Sequence, residues 1–280
     1  MFRVAMGVAV ACSALAAASP SLAASACSRA SLQKATDSYI AAQTKGEPAL
    51  MLAAKAMKYI ENRKDVDPKA GVVAAPQKID LHRSLLDTET CETFTEVVIT
   101  NPGHPYVLGV HLKAPGGKIA EVDTIVTQKD DWLFAPARTL KFSSAEDWSV
   151  LPKAARSDRR TLIAAADAYF DYFDDKSKKT VVPWGIPCHR LEGALYTGKG
   201  QPDDSCDVGV PDKVKIVNRH YVVDEDIGAV VGLVTFGTNG LPDSHLFRLE
   251  NGKIRYIHTI THCFTPNCGF PVPAVLKAAP

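Results

Sequence analysis

Two stretches of this chain read almost alike, and they place an acid and a base at the same position. GKIAEVDTIVT at residues 117–127 returns as GKIRYIHTITH at residues 252–262, with five of eleven positions identical, and Asp123 of the first is His258 of the second. An imidazole shut into an apolar cavity keeps a proton affinity near working pH and serves as general acid or base without a cofactor. A carboxylate raised by desolvation can do the same. Strand alternation puts Ile254, Tyr256, His258, Ile260 and His262 on one face of the second stretch. Ile119, Glu121, Asp123, Ile125 and Thr127 take the matching face of the first. A polar group among apolar ones is what a ligand cavity requires. His258 is therefore the leading catalytic candidate, with Tyr256 beside it. The plainer alternative stays open: a core histidine bonded to a neighbouring strand, and Asp123 as a structural cap.

Further groups could converge on the same place. Asp243 and His245, in PDSHLF, share a strand face one hairpin away and would orient His258 or share its proton. Arg190 and Tyr196, in PCHRLEGALYTG, are candidates for holding an oxyanion or a phenolate. Arg190 could equally form a surface pair with Glu192, which would be worth little. Arg219 in NRHYVVD and Tyr59 in KYIEN complete the substrate-binding candidates, together with Asp123.

The elements that must position these residues come in the same order twice. Leu32, Ala35, Tyr39 and Ala42 have helical spacing and end at Gly46, and Pro48 is expected to open a second helix through Met57. The strands LHRSLLD, CETFTEVVIT, YVLGVHLKA and KIAEVDTIVTQ follow, separated by Asn-Pro-Gly and Pro-Gly-Gly turns. After SAEDWSVLPKAARSD, Ser157 or Asp158 can cap a helix carrying Leu162, Ala165, Ala166, Tyr169 and Phe173 on one side. KIVNRHYVVDED, GAVVGLVTFG, SHLFRLE and KIRYIHTITH then form a second set of strands with Asn-Gly turns. An arginine precedes an aspartate in both first strands, Arg83 to Asp87 and Arg219 to Asp224. The chain reads as an internal duplication.

Residues 1–26 have the composition of a signal peptide, with small residues around Ala23 to Ala26 fitting a cleavage site. That predicts a periplasmic or secreted protein with no membrane segment after cleavage. Export makes the cysteines read as disulfides: Cys27, Cys91, Cys188, Cys206, Cys263 and Cys268 remain, and of fifteen pairings Cys188 to Cys206, Cys263 to Cys268 and Cys27 to Cys91 are favoured. A metal site is not expected, since no C-x-x-C occurs among the cysteines. With 46% apolar residues, 22% charged and a net charge of +1 over 280 residues, the composition recruits neither nucleic acid nor anionic membrane. No P-loop, GxGxxG, GxSxG or HExxH occurs. The expected partner is an apolar or aromatic small molecule, no cofactor is called for, and assembly into a homo-oligomer is left open.

The helix-then-meander order of both halves, with CHRLEGALYTG, NRHYVVDEDIGAVV and LPDSHLFRLENGKIRYIHTIT in the second, resembles the NTF2-like superfamily, also called SnoaL-like. The same pieces resemble a SnoaL-like family of secreted bacterial and fungal proteins. The resemblance implies an α+β fold of two tandem cones, each with helices packed on a curved antiparallel sheet, over residues 27–150 and 151–280. It fixes no reaction, because that superfamily hosts isomerases, dehydratases, cyclases, lyases and binding modules. One group of general likeness acts on lignin-derived diaryl propanes and releases formaldehyde. A lyase of that type is thus the leading expectation. An isomerase or dehydratase of a polyketide-like ring, or a periplasmic binding module without catalysis, is the alternative.

Overall fold

The computed structural model describes residues 1–2 and 27–277, so most of the signal-peptide expectation lies outside the described residues. The chain is α+β, with two six-stranded sheets and the packed helices α1 (Arg29–Lys45), α2 (Pro136–Ser143) and α3 (Arg159–Asp174). The first sheet holds β1 (Ala53–Glu61), β2 (Lys64–Asp65), β3 (Leu81–Asp87), β4 (Glu92–Ile99), β5 (Tyr106–Lys113) and β6 (Ile119–Thr127). The second holds β7 (Trp184–Glu192), β8 (Leu195–Tyr196), β9 (Ile216–Asp224), β10 (Ala229–Phe236), β11 (Leu241–Glu250) and β12 (Lys253–Thr261). Strand order is β2-β1-β6-β5-β4-β3 in one and β8-β7-β12-β11-β10-β9 in the other. The repeat is therefore topological as well as textual.

Register makes the correspondence residue by residue. One row across the first sheet runs Leu85, Phe94, His111, Asp123, Ile60. Its counterpart runs Val222, Val231, Leu246, His258, Leu191. Asp123 and His258 thus occupy the same strand and the same row.

Each sheet is covered on one side by its own helix. In α1, capped by Ser28 and closed by left-handed Gly46, the buried Leu32, Ala35, Tyr39 and Ala42 meet Val97, Leu108, Val110 and Val122. In α3, capped by Asp158, the buried Leu162, Tyr169, Phe170 and Phe173 meet Val223, Phe247 and Ile257. The opposite faces of the two sheets pack against each other through Leu85, Phe94, Val98, Val107 and Ile125 from one side and Val222, Val231, Leu246 and Ile260 from the other. We call this the shared face. Burial there removes the apolar strand faces from water and joins the halves.

Charged clamps repeat across the junction. Asp87 accepts the Val223 N–H at 2.9 Å and pairs with Arg159, the first residue of α3, at 2.7 Å. Asp224 accepts the Leu86 N–H at 3.0 Å and pairs with Arg29, the first residue of α1, at 2.7 Å. The register equates Arg83 with His220, not with Arg219. Three disulfides, Cys27–Cys91, Cys188–Cys206 and Cys263–Cys268, have the expected pairings.

Three expectations are corrected. The sheets are mixed and not wholly antiparallel, because β1 pairs with β6 and β7 with β12 in parallel. The helix expected from Pro48 to Met57 is a single 3-10 turn, Pro48–Leu50, followed by strand β1, because parallel pairing with β6 outweighs the local helical preference of AAKAMK. The strict alternation expected along residues 254–262 is broken by a bulge between the pairs Leu249–Ile254 and Arg248–Tyr256. Ile254 and Ile257 consequently pack under α3, while Ile260 joins the shared face and His258 points at the other half. Among the described residues, no helix is long and apolar enough to cross a membrane.

Candidate functional site

His258 faces the first sheet and is 2% exposed. Its Nδ1 lies 3.0 Å from Glu96 Oε1, and its Nε2 lies 2.7 Å from Oε2 of Glu146 in the segment joining the halves. Burial alone would lower the His258 pKa, but the two carboxylates raise it to about 9. Burial would raise Glu96, yet the charge and hydrogen bond of His258, together with Arg83 at 2.9 Å, hold it at about 2. Trp148 closes the cluster, stacked on Tyr256, edge-on to His258 and capped by the Arg83 guanidinium 4.3 Å from its ring centroid. This is an imidazolium bound between two halves, with both nitrogens engaged. It has no free nitrogen for a substrate proton.

The other sequence candidates are dispersed. Asp243 and His245 lie on the α3 side of their sheet, on the face away from His258, with Asp243 Oδ2 3.0 Å from His245 Nδ1 in a geometry too bent for a hydrogen bond. Thr261 donates to Asp243 Oδ1 at 2.7 Å, and Tyr169, Phe170, Phe173 and Phe247 surround the imidazole. Arg190, 3% exposed, holds the Tyr169 hydroxyl, Glu192 and carbonyls of the disulfide loop, so it braces the second half from inside. Tyr196 stacks on Phe142 of α2 at 4.4 Å. Arg219 pairs with Asp167 and Asp171 on α3. Tyr59 donates to Glu61 within the first half. Of the expected constellation, His258 with Tyr256 and Asp243 with His245 are brought together as two separate pairs, and Tyr196 approaches Tyr256 across the His189 ring.

Asp123 is placed differently. It lines a groove of about 440 Å³ between the halves, with His111, Lys113, Arg63, His220 and Thr235 among its neighbours. The carboxylate has no hydrogen bond or ion pair among the described residues, and burial pushes its pKa up from the usual value. Arg63, on a left-handed turn after β1, crosses to the second half and donates to Thr235 Oγ1 at 2.7 Å and to the Gly240 carbonyl at 2.6 Å. Lys113 is held by Glu121 at 2.8 Å. Ile125, Leu233 and Pro242 supply apolar wall.

His111 and His220 line the groove and meet on Glu92 behind it, three residues that are not among the sequence candidates. Glu92 Oε2 lies 3.0 Å from His111 Nε2 and 2.6 Å from His220 Nε2. Burial would raise Glu92, but the two imidazoles override it and hold the carboxyl at about 2, while the hydrogen bond to Glu92 raises His220. Glu92, His111 and His220 come from β4, β5 and β9, so no sequence spacing reveals them. One signal was available: His111 faces Asp123 directly across the Pro-Gly-Gly hairpin.

A family model described as a domain of unknown function (DUF8021) matches residues 155–261, the second half. No curated protein matches the chain.

Proposed function

We propose that the groove between the halves is where this protein works, and that it is an exported enzyme of NTF2-like design that acts on a small molecule by proton transfer, with Asp123 as the accepting group. One observation carries this reading: a half-buried carboxylate with no hydrogen-bond or ion-pair partner among the described residues faces the groove, whereas His258, its counterpart, has both nitrogens engaged. Arg63, Lys113 and the Thr235 hydroxyl suit a substrate bearing hydroxyl or ether oxygens, and Ile125, Leu233 and Pro242 suit its apolar body. A hydroxylated aromatic dimer has both. Carbon–carbon lysis is the leading reaction: the base takes the proton of the terminal hydroxyl, that carbon leaves as formaldehyde, and the electron pair of the broken bond forms the alkene as the α oxygen departs as water; isomerisation or dehydration is the alternative. The three disulfides support export.

The test is to incubate the purified protein with diaryl propanes and hydroxylated ring ketones and to follow loss of formaldehyde or water by mass spectrometry. Asp123→Asn, which keeps the shape, should lower turnover by about two to four orders of magnitude. Turnover equal to that of the unaltered protein would overturn the assignment of Asp123. Binding of these compounds without turnover would make the groove a binding module.

A further inference from the structure

We infer that Glu92, His111 and His220 form a binding site for one divalent transition-metal cation of the zinc type. Two imidazole nitrogens and one carboxylate oxygen, from three strands and both halves, lie within 4.8 Å of one another. In a tetrahedral site with bonds of about 2.0–2.1 Å, the ligand atoms stand about 3.3 Å apart. The two nitrogen–oxygen distances, 3.0 and 2.6 Å, therefore need to open by about 0.3 and 0.7 Å, a rotation of side chains of which one, His220, is half-exposed. Each imidazole would then carry its proton on Nδ1 and present a lone pair at Nε2. Imidazole with carboxylate selects zinc, cobalt or nickel over calcium or magnesium, which prefer oxygen alone.

Two further features separate this trio from an ordinary interface hydrogen bond. Glu96 takes one histidine and an arginine and is sealed at 2% side-chain exposure. Glu92 instead receives two histidines at one oxygen, and the His220 side chain is 47% exposed to the groove. Three protein ligands with an open side are the arrangement that leaves a coordination position for water or a ligand. Asp123, opposite His111 on the adjacent strand, lines the same groove with no hydrogen-bond or ion-pair partner among the described residues. Cation binding is read directly, so the inference does not depend on the groove having a substrate.

The experiment uses the full secreted chain, stripped with a chelator, dialysed and titrated with zinc chloride by calorimetry. One equivalent should bind. His220→Ala, a change at a half-exposed side chain, should weaken binding about 100-fold or more, since loss of even an outer partner of a metal ligand costs 10- to 100-fold. His262→Ala, just beyond the end of β12, should leave affinity unchanged. Cobalt(II) supplies a second readout: the loaded protein should show the visible absorption of a low-coordinate nitrogen and oxygen site, and His220→Ala should lose it. Absence of saturable zinc binding, undiminished binding by His220→Ala, or a cobalt spectrum like that of the aqueous ion would each overturn the site.

Discussion

Glu92 and Glu96 stand on the same face of β4, about 13 Å apart along the strand, and each meets a histidine from the other half. At Glu96 the histidine is His258, packed beneath Trp148 with Glu146 on its far nitrogen. At Glu92 it is His220, half in the groove, with His111 as a second neighbour. The same pair of residue types makes a sealed bond at one end of the interface and an open site at the other. Water access separates them. A charge pair without solvent is held in one arrangement, whereas a pair at the edge of a cavity can exchange partners.

The sharpest way to break this comparison is to delete each histidine. His258→Ala leaves Glu96 and Glu146 buried without their shared cation, and should cost about 3–5 kcal/mol in urea unfolding. His220→Ala leaves Glu92 with His111 and with water, and should cost less than about 1 kcal/mol. Equal losses would mean that the two ends do the same job.

Stability against pH should follow the sealed end. His258 binds its proton more tightly in the folded state, at about 9 against 6.5, so its contribution is complete below pH 6.5 and is lost as pH rises through 9. Glu96 is held at about 2 against 4.5, so its contribution is complete above pH 4.5 and is lost as pH falls through 2. Unfolding free energy should therefore peak between about pH 4.5 and 6.5 and fall on the alkaline side by a few kcal/mol. His258→Ala should flatten the alkaline limb. A flat profile in the unaltered protein would remove the imidazolium from the account.

The smallest effects should come from the paired clamps. Arg29→Ala removes two charged hydrogen bonds from Asp224 and Arg159→Ala removes one from Asp87, each by loss of a partly exposed arginine from a buried aspartate that keeps a backbone donor, at a cost of about 1–2 kcal/mol. The two losses should agree within about 0.5 kcal/mol. A large disparity would show that the internal symmetry is geometric but not energetic.

Much of this framework was legible in the sequence. Alternation and turn residues mark the four meander strands of each half, and an even cysteine count under export gives the disulfides. β1 and β7 were less visible. β1 is largely exposed toward one end and shows no alternation, and β7 carries a proline and an irregular burial pattern that hide its strand character. The site was harder still. One bulged residue near Arg255 moves His258 from the helix side of its sheet to the shared face, and no propensity encodes that step. The Asp-to-His exchange marked equivalent positions in the two sheets, Asp123 in the groove and His258 between the halves. It could not say that the acid stands in the groove and the base at the seal, because Glu96, Glu146, Glu92 and His220 arrive from remote segments.

The shared face has a consequence for how such a domain can exist. Residues 155–261, the stretch matched by the family model, comprise one sheet and its helix but only one side of the sandwich. Alone, that unit would expose Val222, Val231, Leu246 and Ile260 to water and leave Asp224 without Arg29. A free-standing version needs a second copy, and its folding would depend on concentration. Tethering two copies in one polypeptide replaces that encounter with an intramolecular one, and it releases the copies from having to be identical. Only then can one strand carry Glu92 and Glu96 where its counterpart carries Ala229 and Leu233, so that a symmetric seam acquires one end that is shut and one that is open.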